Sequence, residues 1–194
     1  MTRLSLDRNN IRILFIGYIL IALFGTFILM LPIMHTKAIS FLDAFFTSAS
    51  AVSMTGLIVL NTSLDFSFYG QIVILLLIQI GGLGYMSIAM ALYILVRKKM
   101  SFDEKNLLRE SLIYPSSDGL VGFLKKVLFF VFAIEIIGAI LLFLRFKLDM
   151  NLNEALWASI FHSISAFNNA GFSVFESGLC LIGMIFGSIL SLPL

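Results

Sequence analysis

Apolar and polar positions fall in long blocks along this chain. Ile13–Met34 is an uncharged apolar run and Phe66–Val96 is a longer one. Val127–Leu144 is a third, bracketed by Lys125, Lys126, Arg145 and Lys147 and holding one charge, Glu135. A helix needs about 20 predominantly apolar residues to cross a hydrocarbon core of about 30 Å. The first and third runs meet or approach that length, and the second is long enough to tilt. A fourth stretch, Gly178–Leu194, is broken by Gly183, Gly187, Ser188 and Pro193 and makes a poor span. The pattern predicts membrane helices over the first three blocks.

Between the blocks lie two stretches of another kind. Ser48-Ala49-Ser50-Ala51-Val52-Ser53-Met54-Thr55-Gly56-Leu57 is uncharged, small and polar, and Phe161-His162-Ser163-Ile164-Ser165-Ala166-Phe167-Asn168-Asn169-Ala170-Gly171-Phe172 is similar to it. Gly56 and Gly171 stand 115 residues apart, and the same offset matches Phe46 with Phe161, Ser48 with Ser163, Ser50 with Ser165 and Ala51 with Ala166. It places the copy of the first apolar block near 128–149. Each stretch follows a short helix-like segment, Ser40–Ala51 or Asn153–Ala166. Ser40-x-x-Asp43 fits a capping box, and Asn151-x-x-Glu154 fits a similar start. An acid at the N-terminal end leaves the C-terminal carbonyls, with their partial negative charge, aimed into the membrane.

Irregular backbone persists at membrane depth only where protein or a water-filled cavity shelters it. Neither loop contains Asp or Glu, which argues against a filter of carboxylates and for one of backbone carbonyls. Gly56 and Gly171 supply backbone angles that side chains forbid. The plainer alternative is a pair of packed re-entrant loops or extracellular turns; recurrence at one spacing favours the filter. The fold class predicted is all-α integral membrane, with helix–pore loop–helix units. One unit is complete over 1–96 and a second is incomplete over 127–194, with a cytoplasmic connection at 97–126.

Composition agrees. Hydrophobic residues make up 60% of the 194, charged residues 12%, and the mean hydropathy is +1.05, beyond what a soluble domain of this size covers. The net charge of +2 gives no ground for nucleic-acid binding, and the single cysteine, Cys180, excludes an internal disulfide and a Cys-based metal site. Arg3, Arg8 and Arg12 precede the first block as in a signal peptide. That block is longer than a signal core and no A-x-A site follows, so it reads as a retained helix. Seven Lys and Arg lie in 97–126 against one, Lys37, in 35–65. This asymmetry places the N-terminus and the connection in the cytoplasm and both loops on the outer side. The connection also carries Asp103, Glu104, Glu110, Asp118 and the turn Pro115-Ser116-Ser117-Asp118-Gly119. It reads as a solvated helix and turn, with a docking surface as the sharper alternative.

Gly81-Gly82-Leu83-Gly84 lacks the Lys and Ser or Thr of a phosphate loop and reads as a close helix contact. A charge such as Glu135 inside a span costs about 2.5–3.5 kcal/mol on insertion scales. It must therefore face protein or water or be protonated, with a structural partner ahead of an ion-pathway role. His162 reads as a hydrogen-bonded helix residue, His35 and Lys37 as interface residues, and the 20 phenylalanines as packing. A membrane enzyme built on Glu135 and His162 is disfavoured, because they lie on separate segments with no nucleophile or metal-ligand spacing.

Ser53-Met54-Thr55-Gly56-Leu57, then Gln79-Ile80-Gly81-Gly82-Leu83-Gly84-Tyr85, then Ala166-Phe167-Asn168-Asn169-Ala170-Gly171-Phe172 resemble the membrane subunit of the Ktr/Trk/HKT potassium transporters. The bacterial Ktr-type subunit is the nearest fit, and the resemblance extends to about Gly178. It implies a pseudo-fourfold pore of four such units with one glycine per filter strand. Val52, Ser53, Met54, Thr55 and Gly56 would form one strand, and Phe167, Asn168, Asn169, Ala170 and Gly171 another. The implied activity is potassium uptake across the bacterial plasma membrane. K+ is the cargo, no cofactor is needed, and Na+ coupling is left open. The implied partners are lipid, a cytoplasmic nucleotide-binding regulatory ring and a second copy in a homodimer. Third and fourth units have no counterpart here. The expectation is therefore a truncated form with no gate residue to name, and a non-conducting fragment, inert or acting only by assembly, is the alternative.

Overall fold

Pro32 decides where the first helix stops. The computed structural model describes residues 8–84 and 120–175. In it α1 spans Arg8–Leu29, ending before the Met34 limit of the apolar block. Proline has no N–H and its ring clashes with the carbonyl four residues back. The chain leaves α1 through turns instead, with Met30 N donating to Thr26 O at 3.0 Å and Met34 N to Leu31 O at 2.9 Å.

α2 spans Phe41–Ser53. Its predicted capping box forms: Asp43 N donates to Ser40 Oγ at 3.1 Å and Ser40 N to Asp43 Oδ2 at 3.2 Å. α3 spans Phe68–Leu83, starting at the N-cap Ser67 and closing at Gly84 with φ 73°. The rest of the second apolar block, 85–96, lies outside the described residues. α4 spans Leu120–Phe146 and exceeds its apolar block at both ends. The last residues assigned to the 97–126 connection are therefore its first turns, with Lys125 and Lys126 helical. The remainder of that connection, and Gly178–Leu194, lie outside the described residues. α5 spans Leu152–Phe167 with N-cap Asn151. The second capping box does not form, because the Asn151 side chain makes no cap bond; Glu154 remains in the first turn, where a carboxylate still complements the helix dipole.

α1, α2 and α3 pack together, α4 packs on α5, and α3 also touches α5. A shared core joins Leu29, Ala44 and Val52 to Ile74, Ile78, Phe161 and Phe172. Outside it the surface is apolar: Phe15, Leu20 and Phe24 on α1 and Phe129, Phe130 and Leu141 on α4 are all exposed. A helix that is apolar all round belongs in a large core or a membrane. Lys125–Phe146 is long and apolar enough to cross one, and Phe15–Leu29 and Phe68–Leu83 are shorter apolar helices. The 27 residues of α4, at about 1.5 Å each, outreach the hydrocarbon core. Among the described residues there is no strand beyond an isolated bridge between His35 and Phe66.

Candidate functional site

The two polar loops leave their helices in the same way. After α2, Met54 takes a left-handed conformation (φ 55°), and after α5 so does Asn169 (φ 53°). Met54 N donates to Ala51 O at 3.3 Å and Asn169 N to Ala166 O at 3.0 Å. One residue on, Thr55 N bonds Ser50 O at 3.1 Å and Ala170 N bonds Ser165 O at 2.8 Å. Such left-handed closures satisfy the last carbonyls of a helix. Each loop then reaches a glycine with positive φ, 69° at Gly56 and 74° at Gly171. These four matched features share the offset of 115 seen in the sequence.

The loops meet at those glycines. A β-carbon on Gly56 would stand 2.7 Å from Ala170 O and 3.1 Å from the Gly171 Cα, and one on Gly171 would stand 3.1 Å from the Gly56 Cα. Neither position has room for a side chain. Met54–Gly56 and Asn168–Gly171 lie past the ends of the two helices, and the carbonyl oxygens of Ala170 and Gly56 stand at this contact. Val52 and Ser53 belong to the last turn of α2 and Phe167 to that of α5, so each loop proper begins one or two residues later than the pentapeptides named above.

Two further contacts recur behind the loops. Ser48 Oγ donates to Ala22 O at 2.7 Å, and Ser163 Oγ donates to Glu135 O at 2.6 Å. Each serine sits over a glycine of the preceding long helix: a β-carbon on Gly25 would clash with Ser48 Oγ, and one on Gly138 would stand 2.5 Å from Ser163 Oγ. These clasps span 26 and 28 residues. The long helices therefore correspond at an offset two shorter than that of the loops, and the copy of α1 lies two residues earlier than the uniform shift to 128–149.

α3 backs both loops through Gly81 and Gly82. A β-carbon on Gly81 would overlap Val52 O, and one on Gly82 would overlap Asn168 Oδ1, so these glycines serve close packing as the sequence suggested. Glu135 is buried, 4% exposed, and its Oε1 accepts from Gln79 Nε2 at 2.9 Å. Asn168 Nδ2 donates to Ile164 O at 2.8 Å and Gln79 Oε1 at 3.1 Å, and lies 3.5 Å from Glu135 Oε1. Gln79, an uncharged residue inside an apolar run, is the member that sequence reasoning missed. His162 is hydrogen-bonded as expected, through Nδ1 to Ala158 O at 2.7 Å and Nε2 to Ser173 Oγ at 2.9 Å, and stacks on Phe175 at 4.5 Å. Trp157 Nε1 donates to Gln71 Oε1 at 2.7 Å. Lys37 pairs with Asp65 at 3.5 Å. Among the described residues no three His, Cys, Asp or Glu side chains gather as a metal site.

Residues 8–181 match the family model described as TrkH, cation transport protein. The chain belongs to the TrkH cation transport family. TrkH proteins are membrane transporters, not enzymes. Among curated relatives, the "Ktr system potassium uptake protein B" of Bacillus subtilis is 44% identical over 87% of this chain and 38% of its own length. The "potassium/sodium uptake protein NtpJ" of Enterococcus hirae is 36% identical over 88% of this chain and 38% of its own. The "Ktr system potassium uptake protein B" of Vibrio alginolyticus is 34% identical over 87% of this chain and 37% of its own. The chain thus spans less than two fifths of the length of these relatives.

Proposed function

We propose that Met54–Gly56 and Asn168–Gly171, with Val52, Ser53 and Phe167 as the turns that launch them, are two sides of a potassium filter. In this reading the membrane protein conducts K+ into a bacterial cell. The observation that carries the proposal is the doubled geometry: two helices end in the same left-handed turn, and their loops bring two positive-φ glycines into contact. Backbone carbonyls beyond a helix C-terminus offer a bare cation partial negative charge in place of its hydration shell. The absence of Asp and Glu from both loops fits a filter that attracts the ion without fixing it. A carbonyl ring closes only with strands on every side; the described residues bring two, and the others come from polypeptide beyond them. The potassium-uptake names of the relatives support K+ as the cargo.

The same proposal places 35–65 outside and 97–126 in the cytoplasm, from the lysine and arginine asymmetry. By the family resemblance it adds a homodimer and a nucleotide-binding ring docked on the cytoplasmic side. The test uses a complete pore, with residues 8–175 spliced in place of the matching segment of the Bacillus subtilis relative. Gly56→Ser and Gly171→Ser are expected to lower potassium preference over sodium at normal membrane abundance. Uptake at limiting potassium with sodium competition in a potassium-uptake-deficient cell measures it. Unchanged preference in both variants would refute the filter.

A further inference from the structure

Asn168 is held more tightly than its position on a loop requires. It caps α5 one residue before the left-handed Asn169 and three before Gly171. Its Nδ2 faces three acceptors, Ile164 O, Gln79 Oε1 and Glu135 Oε1, at 2.8, 3.1 and 3.5 Å. Its Oδ1 lies where a β-carbon on Gly82 would fall. The Glu135 carboxylate fixes the orientation of Gln79 by accepting from Nε2 at 2.9 Å, which leaves Gln79 Oε1 free to accept from Asn168. Meanwhile the backbone carbonyl of Glu135 accepts from Ser163 at 2.6 Å. One residue of α4 therefore engages α5 at the clasp and, through α3, at the start of the loop.

The first loop has no such arrangement. Ser53, which matches Asn168, bonds Ala49 O at 2.7 Å and lies 3.5 Å from Ser50 O and 3.4 Å from Thr55 Oγ1, all within its own helix and loop. The residue whose carbonyl plays the part of Glu135 is Ala22, with no carboxylate to offer. A buried carboxylate among apolar helices is costly, and polar networks of this kind are stable only when every member is satisfied. Clasping α4 to α5 needs only the backbone carbonyl, as Ala22 shows, so the carboxylate is spent on something else.

We propose that Glu135 is a positioning residue for ion selection: through Gln79 it locks Asn168 and so fixes the carbonyls leading to Gly171. The inference rests on the filter reading above. In the complete-pore chimera, Glu135→Leu and Gln79→Leu are each expected to lower potassium preference over sodium about tenfold at parent abundance, the upper end of what one net hydrogen bond contributes. The double variant should fall no further than either single one, and Glu135→Gln, which keeps an acceptor oxygen, should stay near the parent. Parent preference in the two leucine variants would overturn the proposal. So would a loss in Glu135→Leu that Gln79→Leu does not share, or a Glu135→Gln variant as impaired as Glu135→Leu. If Glu135→Leu fails to reach the membrane, Gln79→Leu and Glu135→Gln carry the test by the same criteria. Gly171→Ser run alongside separates the two ideas: if it alters preference while the leucine variants do not, the filter stands and the brace falls.

Discussion

A β-carbon at position 81 would fall on the Val52 carbonyl oxygen, whereas one at position 122 would meet nothing within 4 Å. Both residues lie in helices, so propensity alone favours alanine at each. Gly81→Ala is nevertheless expected to cost about 1–3 kcal/mol through overpacking, while Gly122→Ala leaves stability unchanged or slightly raised. Thermal unfolding of the detergent-solubilised protein measures the difference; equal midpoints would show that α3 can back away from α2 without penalty. The packing role of Gly81 and Gly82 was legible from small residues grouped inside an apolar run. The partner of Glu135 was not, because Gln79 and Asn168 are 56 and 33 residues away in sequence and no spacing rule connects them. A lone carboxylate in an apolar segment announces that it needs a partner without saying which.

Among the elements, the two short helices differ at their starts and agree at their ends. α2 opens on a reciprocal Ser40–Asp43 cap, while the Asn151 side chain of α5 makes no cap bond. Ser40→Ala should therefore destabilise by about 0.5–2 kcal/mol, the usual value of an N-cap, and Asn151→Ala by much less. Comparing the two melting shifts checks this, and a larger effect at Asn151 would contradict it. The sequence pattern located the two short helices to within two residues at each end and the long ones more coarsely, because charge-free blocks and polar small-residue loops are compositional signals. It missed the early end of α1, set by Pro32, and the two-residue slip between long helices and loops. Aligning the loops alone carries no information about the length of the segment that precedes them.

For the whole molecule, TrkH membership makes the apolar exterior a lipid-facing or protein-facing surface. Between lipid and helix there is little hydrophobic gain, so close packing and interhelical hydrogen bonds hold the bundle together. The two clasps, the Trp157–Gln71 bond and the Glu135 network are of that kind. The proposed orientation predicts that, on a Cys180→Ala background, an impermeant thiol reagent outside the cell labels Ser63→Cys and not Ser116→Cys. The reverse pattern would invert the topology. The unequal clasps have a consequence of their own. Ser48 and Ser163 land on corresponding carbonyls although the join between long helix and short helix takes residues 30–40 in one unit and only 147–151 in the other, so that join behaves as a slack tether and not as a ruler. Lineages descended from one duplicated unit could gain or lose residues there while both anchored ends held still. An epitope tag set into that join would then report on the protein without disturbing the contact between its two loops.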